Sequence, residues 1–472
     1  MLNSTPPKTE LPDCHYRDQP TLIPPIAPTP AHSLYLSNVD DQKFLRFSIK
    51  YLYVFRKSIA AESLRESLSR VLVDYYPLAG RLRKSPGGDG EKLEVDCNGE
   101  GALFAEGFMD FAVDEFLGIS EKPNRSWRKL LFRVEGQSFF DIPPLVVQVT
   151  NLRCGGMILC TAINHCICDG IGTAQFLHAW AHAATTRPNL DRPIKPFHHR
   201  HVLKPRNPTR TNPTHPGYLI HPDQPDGAVD VHRYLLSQPV VPSSTTFSAA
   251  DILRLKRQCV PSVKCTAFEA LASHTWRAWV RSLDLPPTVN AKLLFSVNVR
   301  KRVDPALPDG YYGNGFVLGC AQTAVRDLTA GTRSLHDAVR LVQEAKSNVT
   351  GDYVRSLVDL MEGRRVKTDL SASLVISQWA KLGLEDLELG EAGKGVFMGS
   401  VTSDIYCLFL PVVGDAEAVR VLVSMPETAV EKFEFYMREF SDEKGMVVDN
   451  GGEVNYQNGT NGFHDHDHDH FT

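Results

Sequence analysis

Seven consecutive residues, Asn164-His165-Cys166-Ile167-Cys168-Asp169-Gly170, set an imidazole, two thiols and a carboxylate within one short run. An imidazole titrates near neutrality, so it can take a proton from a hydroxyl or an amine. Moving an acyl group off a thioester needs little more, because a thiolate leaves readily. What remains is to deprotonate the acceptor and stabilise the developing oxyanion. A carboxylate four residues after the imidazole can turn back to brace the loop. The Gly beside it lets backbone pass close to substrate.

The same run admits other chemistry. Cys166 or Cys168 could accept the acyl group as a nucleophile activated by the imidazole, which predicts ping-pong kinetics and an acyl-enzyme. A zinc site built from His165, Cys166 and Cys168 would lack a second pair of ligands. Both thiols also suit small buried packing residues. A lone His-x-x-x-Asp is a short pattern that chance supplies easily in a chain with 17 histidines. Its placement adds more than its spacing does.

That placement is set by the flanking patterns. Two apolar strands, Leu145 to Leu152 and Met157 to Ile163, are joined by the turn Arg153-Cys154-Gly155-Gly156, and the second runs straight into His165. After Gly170, the apolar positions Ile171, Ala174, Leu177 and Trp180 predict a helix. The imidazole therefore sits where a buried strand ends and a helix begins, an edge that fixes backbone while leaving a side chain available.

Upstream, residues 1–31 are Pro-rich and aperiodic, a loosely held arm. The alternation from Phe44 to Phe55 predicts a strand with one side buried, Phe47, Ile49, Tyr51, Tyr53 and Phe55 facing inward. Leu64, Leu68, Val71, Leu72 and Tyr75 predict a helix stopped by Pro77. Leu93 to Cys97 and Ala102 to Ala105 read as a hairpin around Asn98-Gly99-Glu100-Gly101. From Arg187 to Asp226 prolines recur among Arg, Lys and His, and periodicity is lost. This predicts a solvated crossover (187–226) between a first half (1–186) and a second (227–442). In that second half a helix over Phe268 to Trp279, strands at Lys292 to Val299, Tyr406 to Leu410 and Val419 to Ser424, and a last helix after Pro426 give mixed α/β texture. Residues 443–472 are polar and Gly/Asn-rich, a tail expected to be disordered, ending in alternating His and Asp.

Composition sets the outer bounds. The 472 residues are 42% apolar and 22% charged, ordinary for a globular chain. A net charge of −4 gives no field to draw nucleic acid. No run of 18 or more apolar residues could span a bilayer, and the first residues lack a secretory pattern. Ten scattered cysteines read as reduced thiols of a cytosolic protein. No resident cofactor or metal is expected.

Six blocks in fixed order carry a resemblance. They are Tyr76-Pro77-Leu78-Ala79-Gly80-Arg81-Leu82; Asn164 to Gly170; Thr266-Ala267-Phe268-Glu269-Ala270-Leu271 with Trp276-Arg277; Asn298-Val299-Arg300-Lys301-Arg302; Tyr311-Tyr312-Gly313-Asn314-Gly315; and Ser377-Gln378-Trp379. Over nearly its whole length the chain resembles the plant BAHD acyl-CoA-dependent acyltransferases. The resemblance implies two chloramphenicol-acetyltransferase-like α/β domains of similar size, with mixed sheets flanked by helices and a solvent channel between them. His165 would be the general base, acting in a ternary complex of acyl-CoA and an alcohol or amine acceptor. Asp169 would turn away from His165 to a salt bridge with Arg300, with Gly170 completing the brace. Ser377 and Trp379 would help hold the oxyanion and substrate, although Trp379 equally suits a core position. Lys256, Thr266 and Ser296 would line the coenzyme A side.

The resemblance also implies a monomer, and the opening Leu34-Tyr35-Leu36-Ser37-Asn38-Val39-Asp40 points to an aromatic or hydroxycinnamoyl-type donor with an alcohol or hydroxy-fatty acceptor. One block departs. Where relatives carry Asp-Phe-Gly-Trp-Gly, this chain has Asp386-Leu387-Glu388-Leu389-Gly390-Glu391-Ala392-Gly393-Lys394-Gly395, without the aromatics and lengthened. That departure keeps open a second role, a non-catalytic accessory member acting through protein partners in lipid elongation.

Overall fold

The computed structural model describes residues 10–86, 92–121, 123–136, 138–185, 193–212, 214–220, 237–329, 335–363, 366–399 and 406–439. The tail after 442 and its His-Asp tract, and parts of the crossover, lie outside the described residues.

The first half supplies β1 (His15–Tyr16), β2 (Thr21–Ile23), β3 (Ser33–Tyr35), β4 (Ser48–Phe55), α1 (Ala61–Val71), β5 (Arg81–Lys84), β6 (Leu93–Asp96), β7 (Ala102–Met109), α2 (Val113–Ile119), β8 (Leu145–Leu152), β9 (Met157–Asn164) and α3 (Gly170–Ala183). After the crossover come β10 (Tyr218–Leu219), β11 (Val240–Phe247), α4 (Ala249–Cys259), α5 (Ala267–Ser282), β12 (Asn290–Asn298), β13 (Phe316–Ala324), α6 (Val325–Thr329), α7 (Leu335–Asn348) and α8 (Gly351–Glu362). The chain then runs through β14 (Lys367–Thr368), β15 (Ser373–Gln378), β16 (Glu388–Leu389), β17 (Gly393–Lys394), β18 (Val396–Gly399), β19 (Tyr406–Val412), β20 (Asp415–Pro426) and α9 (Val430–Arg438).

Two mixed sheets organise these elements. The first has the order β1-β7-β8-β9-β4-β18, with β2 also on β7. The second has the order β11-β20-β19-β15-β12-β13. The first sheet is antiparallel except for β7 beside β8, and the second is parallel only where β15 meets β12 and β19. The far edge strand of the first sheet, β18, comes from late in the chain and pairs with β4.

Packing on both faces of β4 explains a difference from its alternation reading. Tyr51 through Phe55 are all buried, on both faces. Tyr51, Tyr53 and Phe55 face the large core shared with α1 and α3. Leu52 and Val54 face a smaller core with Phe116 and Trp127. A strand enclosed on both sides gains apolar contact at every position, so its inward and outward residues cannot be told apart by burial.

Three further expectations change. Residues 10–31 are not a free arm: β1 and β2 lie on β7. β6 and β7 are not a hairpin, because β6 pairs with β3 and β5 in a separate sheet while β7 joins the first one. The described part of the crossover is docked rather than solvated. Arg200 and Leu203 are 0% exposed, Phe197 N–H donates to Gly310 O at 2.8 Å, and Arg206 Nε donates to buried Asp359 at 2.7 Å.

The core under β9 holds residues of both sheets, Leu159 and Ile163 from the first and Val375, Leu408 and Leu422 from the second. Phe397 on β18 sits within it, its ring 5.0 Å from Tyr53 and 6.2 Å from Trp379. We predict that Phe397→Ala destabilises the protein by about 3–5 kcal/mol in urea unfolding, the cost of an aromatic cavity in a packed core. A loss under about 1 kcal/mol would mean that β18 is not integral to the first sheet.

Candidate active site

β9 delivers His165. Its partner β4 runs antiparallel, with Ser48 opposite Asn164, and His165 N–H donates to Phe47 O at 2.9 Å, which carries the ladder one residue past the strand. Asn164 then starts the turn, its Oδ1 accepting from Cys166 N–H at 3.0 Å. The imidazole lies between Phe47 and Phe316, ring centroids 5.7 and 5.8 Å away. Only 8% of the residue is exposed. Nδ1 is buried and has no hydrogen-bond partner. Burial pushes the imidazole pKa below its ordinary 6.5, and the pull of Asp169 and other nearby acceptors does not undo this. The ring is therefore neutral at neutral pH, the form a base requires.

Asp169 turns away from His165. Arg300 Nη1 and Nη2 donate to its two oxygens at 2.8 and 2.9 Å. Gly315 N–H adds a third bond at 2.8 Å, and Gly172 N–H a fourth at 2.9 Å, the last capping α3. Burial alone would raise its pKa, but the charge and bonds of Arg300 with the two backbone N–H groups outweigh it and hold the carboxyl below its ordinary value. With its acceptor sites occupied by donors from three directions, Asp169 is fixed as an anion. Gly170 opens α3 at a tight spot, where an added Cβ would stand 2.8 Å from Leu382.

Three residues that the sequence did not single out as site residues hold the loop from the other side. Arg200 Nη1 and Nη2 donate to Cys166 O and Ile167 O at 3.1 and 2.6 Å, and Nη2 also donates to Tyr312 O at 3.1 Å. Its charge meets Asp40 at 3.6 Å, both side chains 0% exposed. Asp40 Oδ1 accepts from the backbone and side-chain nitrogens of Asn314 at 2.7 and 2.9 Å, and Asn314 Nδ2 donates to His165 O at 2.7 Å. Asp40 and Asn314 stood inside quoted blocks. For Arg200 the only signal was Val202 and Leu203 beside it, two apolar residues in a polar stretch.

The remaining candidates are dispersed. Trp379 is buried against Tyr51, centroids 4.9 Å apart and nearly parallel, and its Nε1–H donates to Ser377 Oγ at 2.9 Å. It is a core aromatic that also orients Ser377. Thr266 caps α5, its hydroxyl accepting from Glu269 N–H at 3.3 Å while Glu269 accepts from Thr266 N–H at 3.0 Å. Lys256 is half-buried on α4 and Ser296 is exposed on β12. Among the described residues no hydrogen bond or ion pair links these three to His165. In the departing block, Leu387, Leu389 and Ala392 enter the large core, Gly390 and Gly393 take positive φ, and Asp386 pairs with Lys394. Aliphatic residues thus fill the core beside α3.

The thiols flanking His165 are fully buried. Burial pushes Cys166 far up and Cys168 up to about 11, which keeps both protonated and poor nucleophiles. No group of three or more His, Cys, Asp or Glu among the described residues is placed to hold a metal ion.

Breaking either brace should be expensive. Asp169→Asn leaves Arg300 buried without its counter-charge, and we predict a loss of about 3–5 kcal/mol in denaturant unfolding. Because the folded carboxyl titrates below its unfolded value, its contribution is present at neutral pH and is lost as pH falls through the folded pKa. Stability of wild type and Asp169→Asn should therefore converge in acid. Arg200→Met should cost a similar amount; a change under about 1 kcal/mol would show that the crossover does not hold the loop.

Residues 18–440 match the model of the Transferase family. The chain is 33% identical over 433 residues to an omega-hydroxypalmitate O-feruloyl transferase of Arabidopsis thaliana, covering 89% of this chain and 92% of the relative. It is 34% identical over 439 residues to a benzyl alcohol O-benzoyltransferase of Petunia hybrida, covering 88% and 91%. Among solved structures it resembles vinorine synthase, with a TM-score of 0.67 and 19% identity over 88% of this chain and 95% of that one. It also resembles F. graminearum TRI101 complexed with coenzyme A and T-2 mycotoxin, with a TM-score of 0.72 and 14% identity over 87% and 98%. The two-sheet architecture, the order of its blocks and these matches place the chain in the Transferase family, among the plant BAHD acyltransferases.

Proposed function

We propose that the protein is an acyl-CoA-dependent O-acyltransferase with His165 as its general base. The observation that carries this reading is a neutral, nearly buried imidazole at the end of β9, on a loop locked by two buried arginine–carboxylate pairs. His165 Nε2 takes the proton of the acceptor hydroxyl as its oxygen attacks the thioester carbonyl carbon. The tetrahedral oxyanion collapses, the carbon–sulfur bond breaks, and the imidazolium returns the proton to the departing thiolate of coenzyme A. No acyl-enzyme forms, in keeping with the raised Cys166 and Cys168 thiols. Trp379 fills one lone pair of Ser377 Oγ, which leaves the Ser377 hydrogen to be donated to the oxyanion. Lys256, Thr266 and Ser296 contribute to the coenzyme A side, Thr266 through its hydroxyl hydrogen, since the oxygen only accepts in capping α5. Asp169, Arg300 and Gly170 position the base and exchange no proton.

Relatives named for feruloyl, caffeoyl and benzoyl transfer to alcohols support an aromatic donor and an alcohol acceptor in plant metabolism. No helix among the described residues is long and apolar enough to cross a membrane, and all ten cysteines are free thiols. A monomeric enzyme of the cytosol completes the proposal, and sedimentation at working concentration reads the oligomeric state.

Thiol release over a panel of acyl-CoA donors and alcohol or amine acceptors tests the reading. His165→Ala should lower kcat by about 10²–10⁴-fold, the usual worth of a positioned base, whereas Cys166→Ser should keep most activity. The acidic limb of kcat/KM should have its midpoint below 6.5, the rate rising as the imidazole loses its proton. Activity kept in His165→Ala would remove the base assignment. Absence of release with every pair would favour the accessory role.

A further inference from the structure

The base and the oxyanion donor come from different sheets. His165 follows β9 of the first sheet, whereas Ser377 lies on β15 of the second, opposite Leu408 of β19. Neither ladder contains both residues. A misplacement of about 1 Å between groups that act together can cost on the order of 10²-fold in rate. Whatever fixes one sheet against the other at this point therefore has chemical consequence. A stack of aromatic rings makes that crossing.

Tyr51 stands in the middle of it. The residue lies on β4 opposite Thr161 of β9, in the ladder that delivers His165. Its hydroxyl faces Thr173 of α3 without making a hydrogen bond. Thr173 in turn donates its N–H to Asp169 O at 2.8 Å, and its Oγ1 is 3.6 Å from Cys168 Sγ, both in the base loop. The Tyr51 ring stacks on Trp379, centroids 4.9 Å apart and planes 19° from parallel. Phe397 of β18, also in the first sheet, stacks on the same indole at 6.2 Å and 20°. The Trp379 backbone belongs to the second sheet, its N–H donating to Phe409 O at 2.8 Å, and its Nε1–H donates to Ser377 Oγ at 2.9 Å. The indole thus has its backbone on one sheet and its ring against the other. Tyr51 is 1% exposed and Trp379 5%, which leaves neither ring room to turn aside. Ser377 is only partly buried.

We infer that Tyr51 is a positioning residue for the transfer step: its ring fixes the Trp379 indole, and the indole fixes the Ser377 hydroxyl that donates to the oxyanion. The inference rests on the acyltransferase reading with Ser377 as donor, and adds what holds that donor in register with the base. The ring carries the role, since the hydroxyl makes no hydrogen bond. Thiol release gives kcat and KM for full-length wild type, Ser377→Ala, Tyr51→Leu, Tyr51→Phe and the Tyr51→Leu/Ser377→Ala double variant. Ser377→Ala should lower kcat by about 10²–10³-fold, the worth of one oxyanion donor. Tyr51→Leu should lower kcat about tenfold or more while KM changes less than about twofold, because the lost interaction is made only in the transition state. Tyr51→Phe should restore most of that rate. In the Ser377→Ala background Tyr51→Leu should change kcat by less than about twofold, since the group it positions is gone; a merely structural loss would act by the same factor in both backgrounds. Near-UV circular dichroism verifies that each variant is folded at the assay temperature. If Tyr51→Leu does not fold, Trp379→Phe, which has no N–H for Ser377, probes the same link from its other end, with the same non-additivity expected.

Equal factors in the two backgrounds would overturn the inference and leave Ser377 as the donor. So would an unchanged kcat in Tyr51→Leu, or a Tyr51→Phe as slow as Tyr51→Leu, which would assign the role to the hydroxyl. Full activity in Ser377→Ala would remove the donor and the inference together, with His165 unaffected. A wild type that releases no thiol with any donor and acceptor would sink the enzyme reading itself, and with it any transfer step for Tyr51 to serve.

Discussion

Everything at the centre of this protein depends on two buried arginine–carboxylate pairs. Asp169 and Asp40 flank the same short loop, and each is matched by an arginine, Arg300 and Arg200, lying with it out of water. Isolated charges in such surroundings are strongly unfavourable, and backbone bonds support both pairs: Gly172 and Gly315 N–H on Asp169, and the carbonyls of Cys166, Ile167 and Tyr312 on the Arg200 Nη atoms. The arrangement is costly compared with an apolar filling. What it gives in return is a defined geometry: Asp169 reaches Arg300, just past β12, and Gly315, Asp40 reaches Arg200 in the crossover and Asn314, and the loop lies between them.

That geometry accounts for the separation of roles within the motif. The imidazole is left with aromatic neighbours and little solvent, which keeps it neutral. The carboxylate four residues away is so fully engaged that it has no capacity to relay protons. Sequence spacing alone makes the pair resemble a base and its orienting acid. The backbone instead makes Asp169 the cap of α3 and sends its charge across to the second sheet.

How much of this was readable from residues follows from which signals are local. The strand into His165, the helix after Gly170 and the bridge to Arg300 were legible, the first two because periodicity is a property of adjacent residues and the third through ordered blocks. Arg200 was not legible. A charged residue in a Pro-rich stretch is normally solvated, and only the tertiary path of residues 193–203 buries it. The same limit applies to β6 and β7, whose neighbouring positions looked like a hairpin but whose partners lie elsewhere in the chain. Double-sided burial of β4 was also hidden, since the second face is covered by Phe116 and Trp127, about sixty and seventy residues further on. For Trp379 both alternatives had merit, and the indole turned out to pack as core while orienting Ser377.

The late arrival of β18 has a mechanical corollary. A polypeptide whose second half completes the first half's sheet resembles a garment with a sleeve sewn across the seam. Neither portion can be excised or expressed separately without exposing an open edge of β4 to solvent and to other strands. Hinge-like parting of the halves would have to tear a ladder rather than slide a surface. The ladder between β4 and β18 ties the late chain to the first sheet in register.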